Sequence, residues 1–149
     1  MKLKMLFLFL FSFLMVPGQD LHTIRKNYQK AVSDKTVCKT MLSQFENKKN
    51  EGLELAYFGA FQAIWAKHTG NPFEKLSTFK KGKNNMEKAI KQDPNELEVR
   101  LLRYSIQKES PGFLGYKSNM DEDKTILTKQ LKNVEDAWLK QMIIQILKT

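Results

Sequence analysis

An all-α, single-domain bundle of six to seven helices is what this sequence predicts, with one apolar helix over about 51–69 at its centre. Three observations predict it. After residue 20, apolar side chains recur at three- and four-residue spacing along most of the chain. β-Branched residues never cluster in an alternating run, so no strand is expected. Gly and Pro fall at a few points and cut the chain into helical lengths.

The first residues set the expected compartment. Lys2 and Lys4 form a short positive region, Met5 to Val16 is a nearly unbroken apolar run, and Pro17-Gly18 breaks it. That order is the order of a secretory signal. The run is too short for a membrane span, which needs about 20 apolar residues. Cleavage is expected after Gly18, giving a signal peptide over 1–18 and a helical domain over 19–149; the alternative is an uncleaved anchor. The membrane is then met only transiently, through the signal, and the product is periplasmic or secreted. Cys38 is the only cysteine, so an exported chain has no internal disulfide and its stability rests on packing. A small buried apolar role for Cys38 is favoured over a reactive or intermolecular thiol.

The formal charge of +9 would suit nucleic acid, but export argues against that partner. The basic residues are spread along predicted helices, as solvated faces that aid solubility or contact with anionic surfaces.

Each element has its own signals. Asp20 can cap a first helix with Leu21, Ile24, Tyr28 and Ala31 on one face, and Ser33 a second with Val37, Met41, Leu42 and Phe45. Asp34 in the first turn of that second helix suits its dipole. The third segment, 51–69, is nearly all apolar from Leu53 to Ala66, Trp65 included. A helix apolar all round must be covered all round. Gly59 in its middle costs about 1 kcal/mol relative to Ala, which close approach by a neighbouring helix would offset. Gly70-Asn71-Pro72 ends it and starts a fourth helix over about 72–92. There Phe73, Leu76, Phe79, Met86, Ala89 and Ile90 are expected inside, and the lysines mostly outside. Asp93-Pro94-Asn95 marks a turn and a fifth helix over about 94–108, carrying Leu97, Leu101, Leu102, Tyr104 and Ile106, with Glu96 and Arg100 spaced to pair. Residues 110–116 break the pattern. A sixth helix from about 118 buries Ile126, Leu127 and Leu131; a last, over about 134–147, buries Ala137, Trp138, Met142, Ile143, Ile146 and Leu147.

The stretch 86–95, with Gly82, Ala89 and Pro94 at their spacing, resembles the end of a tetratricopeptide repeat. The resemblance covers one half-repeat. It implies stacked helical hairpins, although no second copy is visible and such arrays usually need about three. Separately, Ser77 to Lys83, Pro94, Arg100-Leu101-Leu102-Arg103 and Ser110 to Tyr116 resemble a family of small exported bacterial helical proteins with no assigned activity. That resemblance implies a fold and a compartment, and no reaction.

No catalytic or metal-binding pattern stands out. His22 and His68 have no ligand partner at metal spacing, and no phosphate-loop or nucleophile-elbow motif is present. No cofactor is expected. His68 suits a helix C-terminus as a cap or dipole-compensating group. Asp121, Glu122 and Asp123 suit a helix N-terminus and lack the alternating ligands of a calcium loop. Two features keep functional interest. The Pro111 to Tyr116 loop carries Phe113 and Tyr116; loops of this kind often bind, although Phe113 and Leu114 are favoured as plugs of the core and Tyr116 as the partner contact. Arg100 and Arg103, with Lys80, Lys81 and Lys83 on the preceding helix, could form a cationic groove; ordinary pairing with Glu87, Glu96 or Glu98 is the favoured alternative. The expected function is a non-enzymatic protein-interaction module of the cell envelope, with another envelope protein as partner. The alternative is binding of a small apolar or anionic ligand between helices.

Overall fold

The computed structural model describes residues 20–149; the signal expected over 1–18 and its cleavage point lie outside them. The described residues form seven α-helices and no strand: α1 Leu21–Ala31, α2 Lys35–Glu46, α3 Gly52–His68, α4 Pro72–Gln92, α5 Leu97–Glu109, α6 Met120–Gln130 and α7 Ala137–Lys148. Short 3-10 turns follow α5, over Gly112–Leu114, and α6, over Leu131–Asn133.

Most helix starts follow side-chain caps, which satisfy amides that the helix itself leaves unpaired. Asp20 accepts from the His22 N–H. Asn71 accepts from the Phe73 and Glu74 N–H groups, with Pro72 at the first helical position. Three starts differ from expectation, each by a cap one to three residues later. Asp34, and not Ser33, caps α2 by accepting from Thr36 and Val37, while the Ser33 hydroxyl donates to the Lys30 carbonyl that ends α1. Pro94 and Asn95 stay in a turn held by Asp93, so α5 starts at Leu97 with Glu96 as its cap. Asp136 caps α7 through the Leu139 N–H at 2.8 Å, which leaves Val134 outside the helix and Ala137 exposed at its first position.

α3 is the centre of the main core. It is flanked by α1, α2, α4 and α5, and buried positions occur on every side of it from Leu55 to Ala66. Phe61 anchors an aromatic cluster: its ring lies 6.2 Å from Tyr28, 5.8 Å from Phe45 and 6.5 Å from Tyr57, between centroids. Such pairs add about 0.5–1.5 kcal/mol each beyond area burial. Cys38 is fully buried, as expected, and its thiol donates to the Phe61 carbonyl. Trp65 is only half-buried; its indole N–H donates to Glu74 at 3.0 Å.

α3 and α4 form an antiparallel hairpin whose closest point is Gly59 against Gly82. A Cβ on either glycine would lie 2.6 Å from the carbonyl oxygen of the other. This is the close approach that offsets a glycine in a helix interior. Ala89 is buried on the same helix.

A second core lies on the far side of α5. Leu101 and Tyr104 face Leu127 of α6 and Leu139 and Ile143 of α7, while Val99, Leu102 and Ile106 face α3. α5 is therefore wrapped on both sides, and its polar residues Glu98, Arg100, Arg103 and Gln107 are buried with it.

The glycine pair gives a test of the hairpin. In an open helix Gly→Ala stabilises by about 1 kcal/mol. Here the obstacle to each new methyl is backbone, so G59A and G82A should each destabilise by about 1–3 kcal/mol, the usual cost of overpacking. Urea titration measures it; a stabilised G82A would show that α3 and α4 do not touch there.

Candidate functional site

The inward stripe of α4 has two halves. From Phe79 onward it packs on α3, through Gly82, Met86 and Ala89. In its first two turns Pro72, Lys75, Leu76 and Phe79 instead line an open groove. Ala63, Ile64, Ala66 and Lys67 of α3 line it too, with Ser105, Ile106 and Glu109 of α5, Tyr28 of α1 and Leu114 of the 3-10 turn. The groove encloses about 470 Å³, within the ~300–1,000 Å³ of small-molecule sites. Its surface is overwhelmingly apolar, with Lys67, Lys75 and Glu109 as its charged residues.

Phe113 lines this groove. It was expected to plug the core; instead it is 87 % exposed. Its 3-10 turn is closed by Gly115 at φ +64°, where only glycine sits without strain. Phe73, next to the lining Pro72, is 86 % exposed and Leu76 42 %, although both were expected inside. The first turn of α4 is bonded to the end of α3, where Trp65 and Thr69 donate to Glu74, and Leu76 faces the groove in place of a helix.

The opposite exchange occurs at Tyr116. Expected as an exposed partner contact, it is 2 % exposed. Its ring meets Phe79 edge-on at 6.1 Å and its hydroxyl donates to Glu87 at 2.6 Å. Glu87 also accepts from Arg103 at 3.2 Å.

Arg100 and Arg103 share one carboxylate. Asp123 is fully buried; it accepts from Arg100 Nη1 at 2.8 Å and from Arg103 through Nε at 2.7 Å and Nη2 at 2.8 Å. Glu122 adds a contact at 3.3 Å to Arg100. Arg100 Nε donates to the Pro94 carbonyl at 2.7 Å, and Glu96 caps the helix through the Glu98 N–H in place of the expected pair with Arg100. The cationic groove therefore does not form: carboxylates neutralise both arginines, and burial spends them on joining α6 to α5. Lys83 lies over the Tyr116 ring at 5.1 Å, while Lys80 and Lys81 point to solvent.

A second buried cluster was not anticipated. Arg25 of α1 donates to both oxygens of the buried Glu98, at 2.9 and 2.6 Å, and to Asp136 at 2.9 Å, with its guanidinium 4.4 Å from the Trp138 ring. The Tyr57 hydroxyl donates to Glu98 as well. These bonds tie α1, α3 and α7 to α5. His68 caps a neighbour's end and not its own: Nε2 lies 2.7 Å from the Ala31 carbonyl of α1.

Comparison with protein-family models, curated proteins and solved structures returns no match. The site is therefore read from its geometry alone. Among the described residues, no three of His, Cys, Asp or Glu converge as metal ligands, and no helix is long and apolar enough to cross a membrane.

Burial holds the phenol pKa values up. Tyr28 is pushed up to about 12. Tyr57 and Tyr116 rise further, by burial and by the carboxylates of Glu98 and Glu87 beside them. An unfolded tyrosine ionises near ~10, so the stability these groups contribute is complete below that pH and is lost as pH rises toward the folded values. At about pH 11 the native protein should show much less phenolate absorbance than the urea-unfolded chain; equal absorbance would contradict the burial of the three hydroxyls. Asp123→Ala should cost about 3–5 kcal/mol, because it strands two buried guanidinium groups. A loss below about 1 kcal/mol in urea titration, the value of an exposed pair, would place Asp123 at the surface.

Proposed function

We propose that this protein is a non-enzymatic, exported binding protein that takes an apolar ligand into the α3–α4–α5 groove. The observation that carries the proposal is the groove itself: an apolar concavity of about 470 Å³ beside two phenylalanines left in water. Monomeric proteins seldom leave contiguous large apolar surface exposed without a use for it. The buried charge clusters support the same reading from the other side. Their carboxylates and arginines are consumed by one another, away from the groove, and serve to fix its walls. The compartment follows from the charged, apolar and breaking order of residues 2–18.

A second reading, an adaptor for another envelope protein, is favoured by Phe73 and Phe113. Exposed aromatics are the commonest anchors of protein interfaces. The α3–α4 hairpin, with Gly82 and Ala89 on its inner face, supports the tetratricopeptide-like comparison that goes with such a role.

A neutral solvatochromic dye such as Nile red tests the groove. Leu76→Glu lies on the rim, half in water, and should leave the fold intact. It should weaken dye binding about tenfold or more, the equivalent of about 1.5 kcal/mol of lost apolar burial. Val32→Glu, at an exposed apolar position outside the groove, should leave dye binding unchanged. Equal loss in both variants, or in neither, would remove the groove as the binding surface.

A further inference from the structure

Charge around the groove narrows the class of ligand. α4 carries six lysines, Lys75, Lys80, Lys81, Lys83, Lys88 and Lys91, and two glutamates, Glu74 and Glu87. Both glutamates are hydrogen-bonded and stay charged, so six lysines against two glutamates leave α4 net positive. Glu74 accepts from Trp65 at 3.0 Å and from Thr69 at 2.8 Å; Glu87 accepts from Arg103 and Tyr116. None of the six lysines is in an ion pair among the described residues. One wall of the groove is thus a helix of net positive charge, from which Lys75 lines the groove.

At the mouth itself, Lys75 of α4 and Lys67 of α3 line the site. The charges opposing them are Glu74, beside Lys75 on α4, and Glu109 of α5, which meets Lys67 at 3.7 Å in a solvent-exposed contact, and such a pair contributes little. Lys75 has no ion-pair partner among the described residues. Apart from Lys67, Lys75 and Glu109 the lining is uncharged, with Ile64, Leu76, Phe79, Ile106 and Leu114 among its apolar residues.

Resting on the groove reading above, we infer that the ligand is a single-chain amphiphile with an anionic head: the chain lies along the apolar floor and the head meets Lys75 and Lys67. Phe73 and Phe113 protrude beside the groove, as they would in a bilayer-binding surface, and the vesicles below separate the two; the concavity of about 470 Å³ favours a single chain. An acyl chain contributes by the methylene, about 0.8 kcal/mol for each one buried, which converts to about a fourfold gain in affinity per carbon.

Calorimetric titration of the folded protein, with ligands kept below their micelle concentrations, tests the inference. The probes are decanoate, dodecanoate, the neutral dodecanol, and vesicles of phosphatidylglycerol. Dodecanoate, two methylenes longer, should bind about fifteenfold more tightly than decanoate and more tightly than dodecanol. The double variant Lys67→Glu with Lys75→Glu, both at exposed positions, should weaken dodecanoate about tenfold and leave dodecanol unchanged. Dodecanol binding as tightly as dodecanoate, with the double variant indifferent, would overturn the anionic head and leave the groove reading standing. Failure of every chain, with Nile red also unbound, would overturn both. Binding to the vesicles alone would overturn the free amphiphile in favour of a membrane surface.

Discussion

α3 has no side that can face water, and the arrangement of the other helices follows from that constraint. A segment of this kind is stable only when wrapped, because each exposed apolar face forfeits about 25 cal/mol per Å². α1 and α2 cover it with aromatic rings, α4 approaches until backbone meets backbone at Gly59 and Gly82, and α5 closes the remaining side. Ala63, Ile64 and Ala66 are buried and still line the groove, which is the concavity left between the elements that cover them. Fold and site are thus two consequences of one constraint: the same apolar floor is core where a helix covers it and binding surface where none does.

The second layer is organised on different terms. α5 is buried on both faces, yet it brings four polar side chains into the interior. Burying charge is costly unless it is paired and hydrogen-bonded. Each charged residue here finds a partner on another helix: Glu98 with Arg25 and Tyr57, Arg100 and Arg103 with Asp123. Such pairs add little net stability compared with apolar packing, but their fixed directions specify which helix docks where. Asp123 admits α6 only in the register that presents it to both arginines. Arg25 holds α1 against α5 while its second bond reaches the cap of α7. The far end of the molecule is therefore held by buried polar contacts, and the groove end mainly by apolar surface, with Trp65 and Thr69 bonded to Glu74.

This division explains what could be read in the sequence. Helix number, the central position of 51–69, the close approach at Gly59 and the buried thiol at Cys38 all follow from apolar spacing and glycine placement, which act locally. Phe73, Leu76 and Phe113 were misplaced because apolar identity announces burial, and no local signal shows which apolar positions the fold leaves at the rim of a groove. Tyr116 was misplaced for the complementary reason. A tyrosine in a glycine-rich loop looks exposed until Glu87, 29 residues earlier, is brought to its hydroxyl by the fold. Asp123 looked like one of three dipole-compensating acids, and only its register on α6, facing Arg100 and Arg103, separates it from Asp121. α5 passed for an ordinary amphipathic helix because its buried face is partly charged. The groove was invisible for the same reason: it exists only once α1, α3, α4, α5 and the Gly112–Leu114 turn are packed together, and its apolar lining is indistinguishable from core.

Native-state hydrogen exchange reads the central constraint most directly. If the remaining helices exist to cover α3, its amides from Leu55 to Ile64 open only with global unfolding. They should then exchange the most slowly in the molecule, with protection that falls in urea as steeply as the global transition. Amides of α6 and α7 should open at lower cost. Exchange in α3 as fast as in α7, or insensitive to urea while α7 stays protected, would contradict the account, since the segment would then be opening to water without unfolding the helices built around it.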